Sequence, residues 1–359
     1  MKKIVAMFMC VIMCGCIFSG CRGGGNITGK SIAMITDYST VDEDKFYLTI
    51  WNAMKKVADE HNVSYSKYTT SDETFHARKE AVDKAVADGA GMIILPSSTF
   101  AEVLAEAQKE YPEVKFFGID IGEDELLEKP ADNTYTCAFK EEQAGFLAGY
   151  AAVYEGYTKL GFLGGVQLPS IMRFGYGYIQ GADMAAVDLQ VPIEIKYSYG
   201  GQFYGDIRIT NQMRDWYTDG TEIVFACGGP IYTSVLDAAL ESNGMIIGVD
   251  VDQNEDGANY QYNPFLTSAI KGLSEITSEV VTHYVEDTWQ TIGGNVESLG
   301  LEQGDYVGLP AEGATWRFKK FTHSLYDEVC SNIKDKKIVV SSDIQNFPEV
   351  SDYTTIIID

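Results

Sequence analysis

Small polar and acidic residues stand directly after the short β-rich runs of this chain. They are Thr36-Asp37-Tyr38, Pro96-Ser97-Ser98, Asp120, the turn Cys227-Gly228-Gly229-Pro230, and Asp250. In an open parallel sheet a ligand sits beyond the carboxyl ends of the strands, so these are the positions at which a small polar molecule would be held. Any one strand-end carboxylate also serves to cap the next helix. Five polar ends on two halves of a chain, facing one cleft, argue for binding. Tyr232, just after the Gly228-Gly229 turn, offers an aromatic face from the second half, with core packing as its alternative role.

Catalytic and metal signals fail on inspection. The run Asp250-Val251-Asp252-Gln253-Asn254-Glu255-Asp256 alternates oxygens like a calcium loop. Glu255, however, stands where the sharp turn needs Gly, and Gln261 stands where the bidentate Glu belongs. Gly161 to Gly165 lacks the dinucleotide fingerprint and the lysine and hydroxyl of a phosphate loop; close helix-to-strand packing explains it. His61, His76, His283 and His323 are scattered without ligand spacing, and no Gly-x-Ser-x-Gly elbow or Cys with a nearby His is present. No catalytic residue, metal or cofactor is expected.

The elements that must position these residues are those of an α/β fold. Ile32–Thr36, Val63–Tyr68, Met92–Leu95 and Lys115–Ile119 read as strands, separated by helices over Asp42–Asn62, Glu73–Asp88 and Phe100–Tyr111. In the first helix Phe46, Ile50, Met54 and Val57 recur every three to four residues. The pattern then restarts. Helices over Lys140–Tyr154, Ser170–Val187, Asp206–Tyr217 and Tyr232–Ser242 alternate with strands Lys159–Leu163, Ile193–Tyr197, Glu222–Ala226 and Met245–Val249. Such alternation builds a parallel sheet covered by helices. Phe265–Ile270 and the helix Leu273–Trp289 are expected to return to the first half, and Lys337–Val340 to add a late strand to the second. The expectation is therefore two doubly wound lobes joined by a multi-crossing hinge: residues 31–140 plus about 265–310, and 141–264 plus about 311–359.

The N-terminus is of a different kind. Met1, Lys2 and Lys3 precede an apolar run from Ile4 to Phe18, about the length of a signal core and short for a spanning helix. Residues 1–20 are read as a signal peptide. It ends in Phe18-Ser19-Gly20-Cys21, which resembles a bacterial lipobox, so Cys21 is expected to carry a diacylglycerol and anchor the chain on the extracytoplasmic face of the cell membrane. Residues 21–30, rich in Gly, suit a flexible tether. Of seven cysteines, Cys137, Cys227 and Cys330 remain in the folded part; three spaced thiols make neither a zinc site nor a disulfide framework, though one pair could still bridge. With 52 acids against 27 bases and a net charge of −25, the chain repels a polyphosphate backbone, which excludes nucleic acid as a partner.

A set of segments resembles one known family. Ile35-Thr36-Asp37 through Asp42-Glu43-Asp44-Lys45-Phe46 to Trp51 is similar to the opening of the basic membrane protein family of nucleoside-binding lipoproteins. There an acidic turn leads to a helix with a Phe and, five residues on, a Trp. The likeness continues in Phe146-Leu147-Ala148-Gly149-Tyr150 and Gly161-Phe162-Leu163-Gly164-Gly165, with Phe174 and Gly181-Ala182 behind them. Ile247-Gly248-Val249-Asp250-Val251-Asp252-Gln253 and Thr267-Ser268-Ala269-Ile270-Lys271 complete it. The resemblance covers nearly all of the mature chain. It implies a type I periplasmic-binding-protein-like architecture, a cleft closing on a purine nucleoside, and an ABC permease as membrane partner.

The residues agree with such a ligand. Asp120 and Asp250 can each accept two hydroxyl protons, as a ribose diol offers. Lys271 could donate to a ribose oxygen while offsetting acid charge; its alternative is a helix-start lysine paired to a nearby acid. Phe46, by its match to the family's helix, is the candidate for stacking on a base, against a role in core packing. Tyr47 departs from the family, which usually has Asn there, so base choice is open. A sugar or other small polar ligand remains the alternative on the same architecture. A surface nucleoside hydrolase would need a metal or a raised-pKa acid, and no histidine lies near any candidate acid. A monomer is expected, since a hinged capture protein must present both lobes to its partner.

Overall fold

The structure is a computed structural model that describes residues 29–359 other than 38–40, 43 and 312. Residues 1–20, Cys21, most of the expected tether and Tyr38 lie outside the described residues. The chain begins with β1 (Ser31–Thr36), α1 (Lys45–Glu60), β2 (Ser64–Thr69), α2 (Phe75–Ala87), β3 (Met92–Pro96), α3 (Ala101–Glu110), β4 (Lys115–Ile119) and β5 (Thr134–Phe139). It continues through α4 (Glu141–Glu155), β6 (Lys159–Gly164), α5 (Pro169–Leu189), β7 (Ile193–Tyr199), α6 (Ile207–Thr218), β8 (Ile223–Cys227), α7 (Tyr232–Ser242), β9 (Met245–Asp250), α8 (Asn254–Gly257) and β10 (Phe265–Lys271). It closes with α9 (Leu273–Val285), β11 (Val296–Leu299), β12 (Val307–Gly308), α10 (His323–Lys334) and β13 (Thr354–Ile358).

Two sheets result, ordered β11-β5-β4-β3-β1-β2 and β12-β10-β9-β8-β6-β7-β13. All pairings are parallel except β10 with β12. The central strands β3 and β8 are buried along their whole length, as sheets covered on both faces require, while edge strand β2 exposes or half-exposes every residue. One apolar cluster covers the α2–α3 face of the first sheet and another the α6–α7 face of the second. The third and largest runs through both lobes, joining α1 and α9 to α4 and α5. The two-lobed α/β fold is the one expected. Among the described residues no helix is long and apolar enough to cross a membrane. Cys137, Cys227 and Cys330 are free and buried.

Three local expectations need correction. Phe265–Ile270 does not return to the first lobe: as β10 it pairs with β9 in the second sheet, and only α9 and β11 go back. A buried β-rich run fixes a strand but not its neighbour, and the 251–264 connection is long enough for a parallel crossover. Lys337–Val340 forms no strand and leaves Val339 79% exposed; the late strand is β13, paired to β7. Thr134–Phe139, for which no strand is expected, forms the buried β5. At the start of the fold, Lys30 is not loose tether. Its ammonium donates to the carbonyls of Tyr284 and Val285 and pairs with Asp287 at 2.7 Å.

One helix pair prepares the site. Gly145 and Gly149 on α4 face the α5 carbonyls of Phe174 and Tyr178, and a Cβ on either would lie 2.1 Å from the oxygen. Gly177 and Gly181 on α5 return the fit against Glu142 and Phe146. Only glycine allows backbones to approach so closely. The contact sets the first turn of α4 beside the second and third turns of α5, which brings Glu141 to Arg173.

Candidate functional site

A cavity of about 370 Å³ lies between the lobes, at the carboxyl ends of β1, β3, β4, β8, β9 and β10. This is within the range of small-molecule sites. The residues that leave four of these strands have left-handed backbone: Ser97 at φ +135°, Asp120 at +58°, Gly228 at +136° and Asp250 at +65°. Asp tolerates this region better than most side chains. All four line the cavity.

Lys271, at the end of β10, is the centre of one end. Its ammonium lies 2.8 Å from Asp120 Oδ2, 3.2 Å from Glu141 Oε1 and 3.6 Å from Asp250 Oδ1, with 2% of the side chain exposed. The rings of Phe46, Phe139 and Phe174 surround it at 5.3 to 5.6 Å. Burial alone would lower its pKa, but Asp120, Glu141 and Asp250 outweigh that and hold it protonated above the ordinary lysine range. Asp120 is pushed up by burial, against the pull of Lys271; Asp250 is pushed up to about 7 by burial, again against Lys271, with Asp120, Asp44 and Glu141 adding to the rise. Asp120 Oδ1 is buried without a hydrogen-bond partner among the described residues. An acceptor left so is costly unless something donates to it.

Arg173 backs this cluster, with Nε 2.6 Å from Glu141 Oε2 and Nη1 2.9 Å from Glu125 Oε1. Glu125 belongs to the β4–β5 loop of the first lobe and Arg173 to α5 of the second, so the pair crosses between lobes. Nearby Glu142, raised to about 7 by burial and by Glu141, has one carboxylate oxygen without a partner among the described residues.

The other end is built around Asp37 and Arg78. The guanidinium holds the carboxylate side-on, Nε to Oδ1 at 2.9 Å and Nη2 to Oδ2 at 2.6 Å. Thr70 and Thr99 donate to the same carboxylate at 3.3 and 2.8 Å. Tyr47 is buried against this group; burial, with Asp44 and Asp37, pushes its phenol well above the usual range. Asp44 caps α1 by accepting from Phe46 N–H at 2.9 Å and is raised to about 6 by burial, against that backbone donor. Across the cavity, a Cβ on Gly229 would stand 2.9 Å from Asp44 Oδ2, so the lobes nearly touch here.

Of the residues expected to bind, Asp37, Phe46, Tyr47, Asp120, Phe174, Gly228, Gly229, Asp250 and Lys271 come together around this one cavity. Tyr232 does not line it. Its ring packs on Phe265 with centroids 6.1 Å apart, and burial together with Asp256 raises its hydroxyl to about 12. A helix-start aromatic after a strand end can turn to either side, and the Pro230 turn sends this one inward along β10. Cys21 lies outside the described residues. The sequence reading passed over Asp44, Arg78, Thr99, Phe203, Glu141 and Arg173. Asp44 carried a usable signal, an acid just before a periodic helix. Arg78 sits on a helix face with nothing to mark it, and Phe203 lies in a loop.

Comparison with known proteins gives a consistent result. Residues 30–347 match the model of the family described as ABC transporter substrate-binding protein PnrA-like. The chain is 25% identical to the ABC transporter nucleoside-binding protein BmpA of Lactococcus lactis subsp. cremoris, over 95% of this chain and 99% of that protein. It is 28% identical to basic membrane protein A1 of Borrelia garinii subsp. bavariensis, over 84% and 85% of the two chains. An ABC transporter solute-binding protein from Aeropyrum pernix superposes with a TM-score of 0.75 at 20% identity, over 88% of this chain and 94% of the other. With a family model covering most of its length and the matching two-lobed fold, the chain belongs to the PnrA-like family of ABC transporter substrate-binding proteins.

Proposed function

We propose that this protein captures a nucleoside, a purine nucleoside first of all, outside the cell membrane and delivers it to an ABC permease. In this reading it works as a monomer held to the membrane by lipid on Cys21, without catalysis. The observation that carries it is the pairing of Asp120 from one lobe with Asp250 from the other around Lys271. Two carboxylates with spare acceptor capacity and a charged donor between them suit a vicinal diol. Phe46 and Phe174 line the same space and offer aromatic surface to a base. A relative that carries nucleoside binding in its name adds support.

The cavity is also acidic. Asp37, Asp44, Glu73, Asp120 and Asp250 line it against Arg78 and Lys271, which disfavours a phosphorylated ligand. Calorimetric titration of residues 22–359 with inosine, guanosine, adenosine, uridine, ribose and galactose tests the reading, repeated on Asp250→Ala. Binding of at least one nucleoside, lost in the variant, is expected. Silence from every nucleoside with heat from a free sugar would replace the ligand class, and slow release of free base would make the protein an enzyme. For the anchor, Cys21→Ser is expected to move the protein from the membrane fraction to the medium.

A further inference from the structure

Glu125, Arg173 and Glu141 are buried behind the cavity and do not line it. Their contacts nevertheless run in a closed circuit through two residues that do, Asp120 and Lys271. From Asp120 Oδ2 the circuit passes to Lys271 Nζ at 2.8 Å and on to Glu141 Oε1 at 3.2 Å. From Glu141 Oε2 it passes to Arg173 Nε at 2.6 Å, and from Arg173 Nη1 to Glu125 Oε1 at 2.9 Å. Glu125 Oε2 closes it by accepting from Gly122 N–H at 2.8 Å, two residues after Asp120. Acid and base alternate along it, so every buried charge has an opposite neighbour.

The circuit grips Asp120 from two sides. Lys271 holds Oδ2, and Glu125 holds the backbone turn that follows, where Asp120 itself stands at φ +58°. Only glycine fits at 122 in this turn: a Cβ there would lie 2.9 Å from that of Ala138 and 3.0 Å from the Glu125 carboxylate. With its backbone and one oxygen fixed, Asp120 presents the other, Oδ1, in one place. Oδ1 is the oxygen left without a partner among the described residues. Asp250, across the cleft, touches the circuit only at 3.6 Å from Lys271. A binding group locked by its neighbours discriminates between ligands, whereas one free to swing adapts to them.

We propose, resting on the nucleoside reading, that Glu125, Arg173 and Glu141 are positioning residues for the sugar. Through Lys271 and Gly122 they fix Asp120 Oδ1 against one hydroxyl of the diol, so that the protein selects ribonucleosides over nucleosides lacking that hydroxyl. A fixed acceptor that faces a missing hydroxyl stays buried and unpaired, and this penalty rejects the deoxy ligand. Glu125 belongs to the first lobe and Arg173 and Glu141 to the second. The circuit is therefore complete only when the lobes are closed, and the selection is made at closure.

The test is titration calorimetry of residues 22–359 with inosine, 2′-deoxyinosine and 3′-deoxyinosine, and with uridine and its two deoxy counterparts. The same titrations follow on Glu125→Gln and on Arg173→Lys, which keeps the charge but cannot bridge two carboxylates with a fixed fork. Asp256→Asn, which loosens a lobe-to-lobe pair outside the circuit, is the control. In the unaltered protein, loss of at least one of the two hydroxyls is expected to weaken binding about tenfold or more. That ratio should fall to about threefold or less in Glu125→Gln and Arg173→Lys and be kept in Asp256→Asn. Loss of inosine and deoxyinosine binding by one common factor in a folded Glu125→Gln would overturn the proposal and make the circuit a clamp between lobes and nothing more. So would ribo and deoxy ligands that bind alike to the unaltered protein. In both cases a nucleoside still binds, and the nucleoside reading stands. If Glu125→Gln does not fold, the ratio in Arg173→Lys decides. No binding of any nucleoside would remove both readings together.

Discussion

The two lobes repeat one wiring scheme, and their strand ends can be compared place by place. β1 to β5 and β11 occupy in the first sheet the positions that β6 to β10 and β12 occupy in the second. Ser97 after β3 matches Gly228 after β8, with φ of +135° and +136°; Asp120 after β4 matches Asp250 after β9, with +58° and +65°. The backbone of the site is thus the same twice. The side chains are not. Where the first lobe has Asp37 bound to Arg78, the second has Gly165 against the Gly228 turn, and its cavity wall is completed by Phe174 and Phe203. The comparison teaches that the repeated fold supplies the position of the ligand, while charge comes mainly from one lobe and close-fitting backbone and rings from the other.

The sharpest break in this comparison is at Lys271, the second-lobe residue that neutralises first-lobe acid. Lys271→Met leaves Asp120 and Glu141 buried without their ammonium, and breaking a buried pair in this way costs about 3–5 kcal/mol. Urea unfolding should show that loss, and adding Asp120→Asn to the variant should recover part of it. Full stability in the single variant would mean that Arg173 alone balances the cluster.

Next in size is the asymmetry between the matched aspartates. Asp120 is 2.8 Å from Lys271 and Asp250 is 3.6 Å away. Asp120→Asn is therefore expected to cost both stability and affinity. Asp250→Asn is expected to cost affinity by about 1.5–3 kcal/mol, the worth of charged hydrogen bonds, while leaving the ligand-free protein as stable as before or more so. Thermal melts beside titrations separate the two. Equal behaviour of both variants would erase the distinction between the lobes.

The pH dependence follows from the same residue. The folded carboxyl of Asp250 titrates at about 7 against an ordinary value of 3.8, so between these values the folded state binds more protons than the unfolded one. Its contribution to the stability of the ligand-free protein is full below about 3.8 and is lost as pH rises through 7. Ligand binding runs the other way, because a diol needs the ionised acceptor: affinity should fall as pH drops below 7. Asp250→Asn should flatten this part of both curves. A variant with unchanged slopes would assign them to Glu142, which is raised to about 7 as well.

How much of this was legible in the sequence depends on whether the signal was local. Strand ends are local, since a β-rich run followed by Asp or Gly marks its own end, and Asp37, Asp120, Gly228 and Asp250 were found in that way. The elements as far as α9 were found by period, apart from β5 and the short α8, whereas β11, β12, α10 and β13 were not. What failed was pairing between distant segments: the sheet that receives β10, the choice of β13 over Lys337–Val340, and the partners Arg78, Glu141 and Arg173. Asp37 shows the limit well. Its position was read correctly, yet the four donors that fill it come from Thr70, Arg78 and Thr99, 33 to 62 residues away. Tyr232 fails for a related reason, since the side to which a ring turns is set by what it packs on.

The smallest expected effect is at the rim, where two ion pairs join the lobes under different conditions. Arg173–Glu125 has 8% and 5% of its side chains exposed, whereas Lys45–Asp256 has 37% and 17%. A pair open to water contributes about 0–1 kcal/mol and is screened by salt; a buried pair with one partner removed costs several times more. Asp256→Asn should therefore weaken ligand binding by a factor of about five or less, and the difference from the unaltered protein should vanish in 1 M salt. Glu125→Gln should cost more and keep most of that cost in salt, because Arg173 Nη2 is already buried without a partner among the described residues and the variant weakens the contact at Nη1 as well. If both variants responded to salt alike, the buried crossing would be open to solvent when the ligand enters, and the hold between the lobes would lie in the Asp44–Gly229 contact instead.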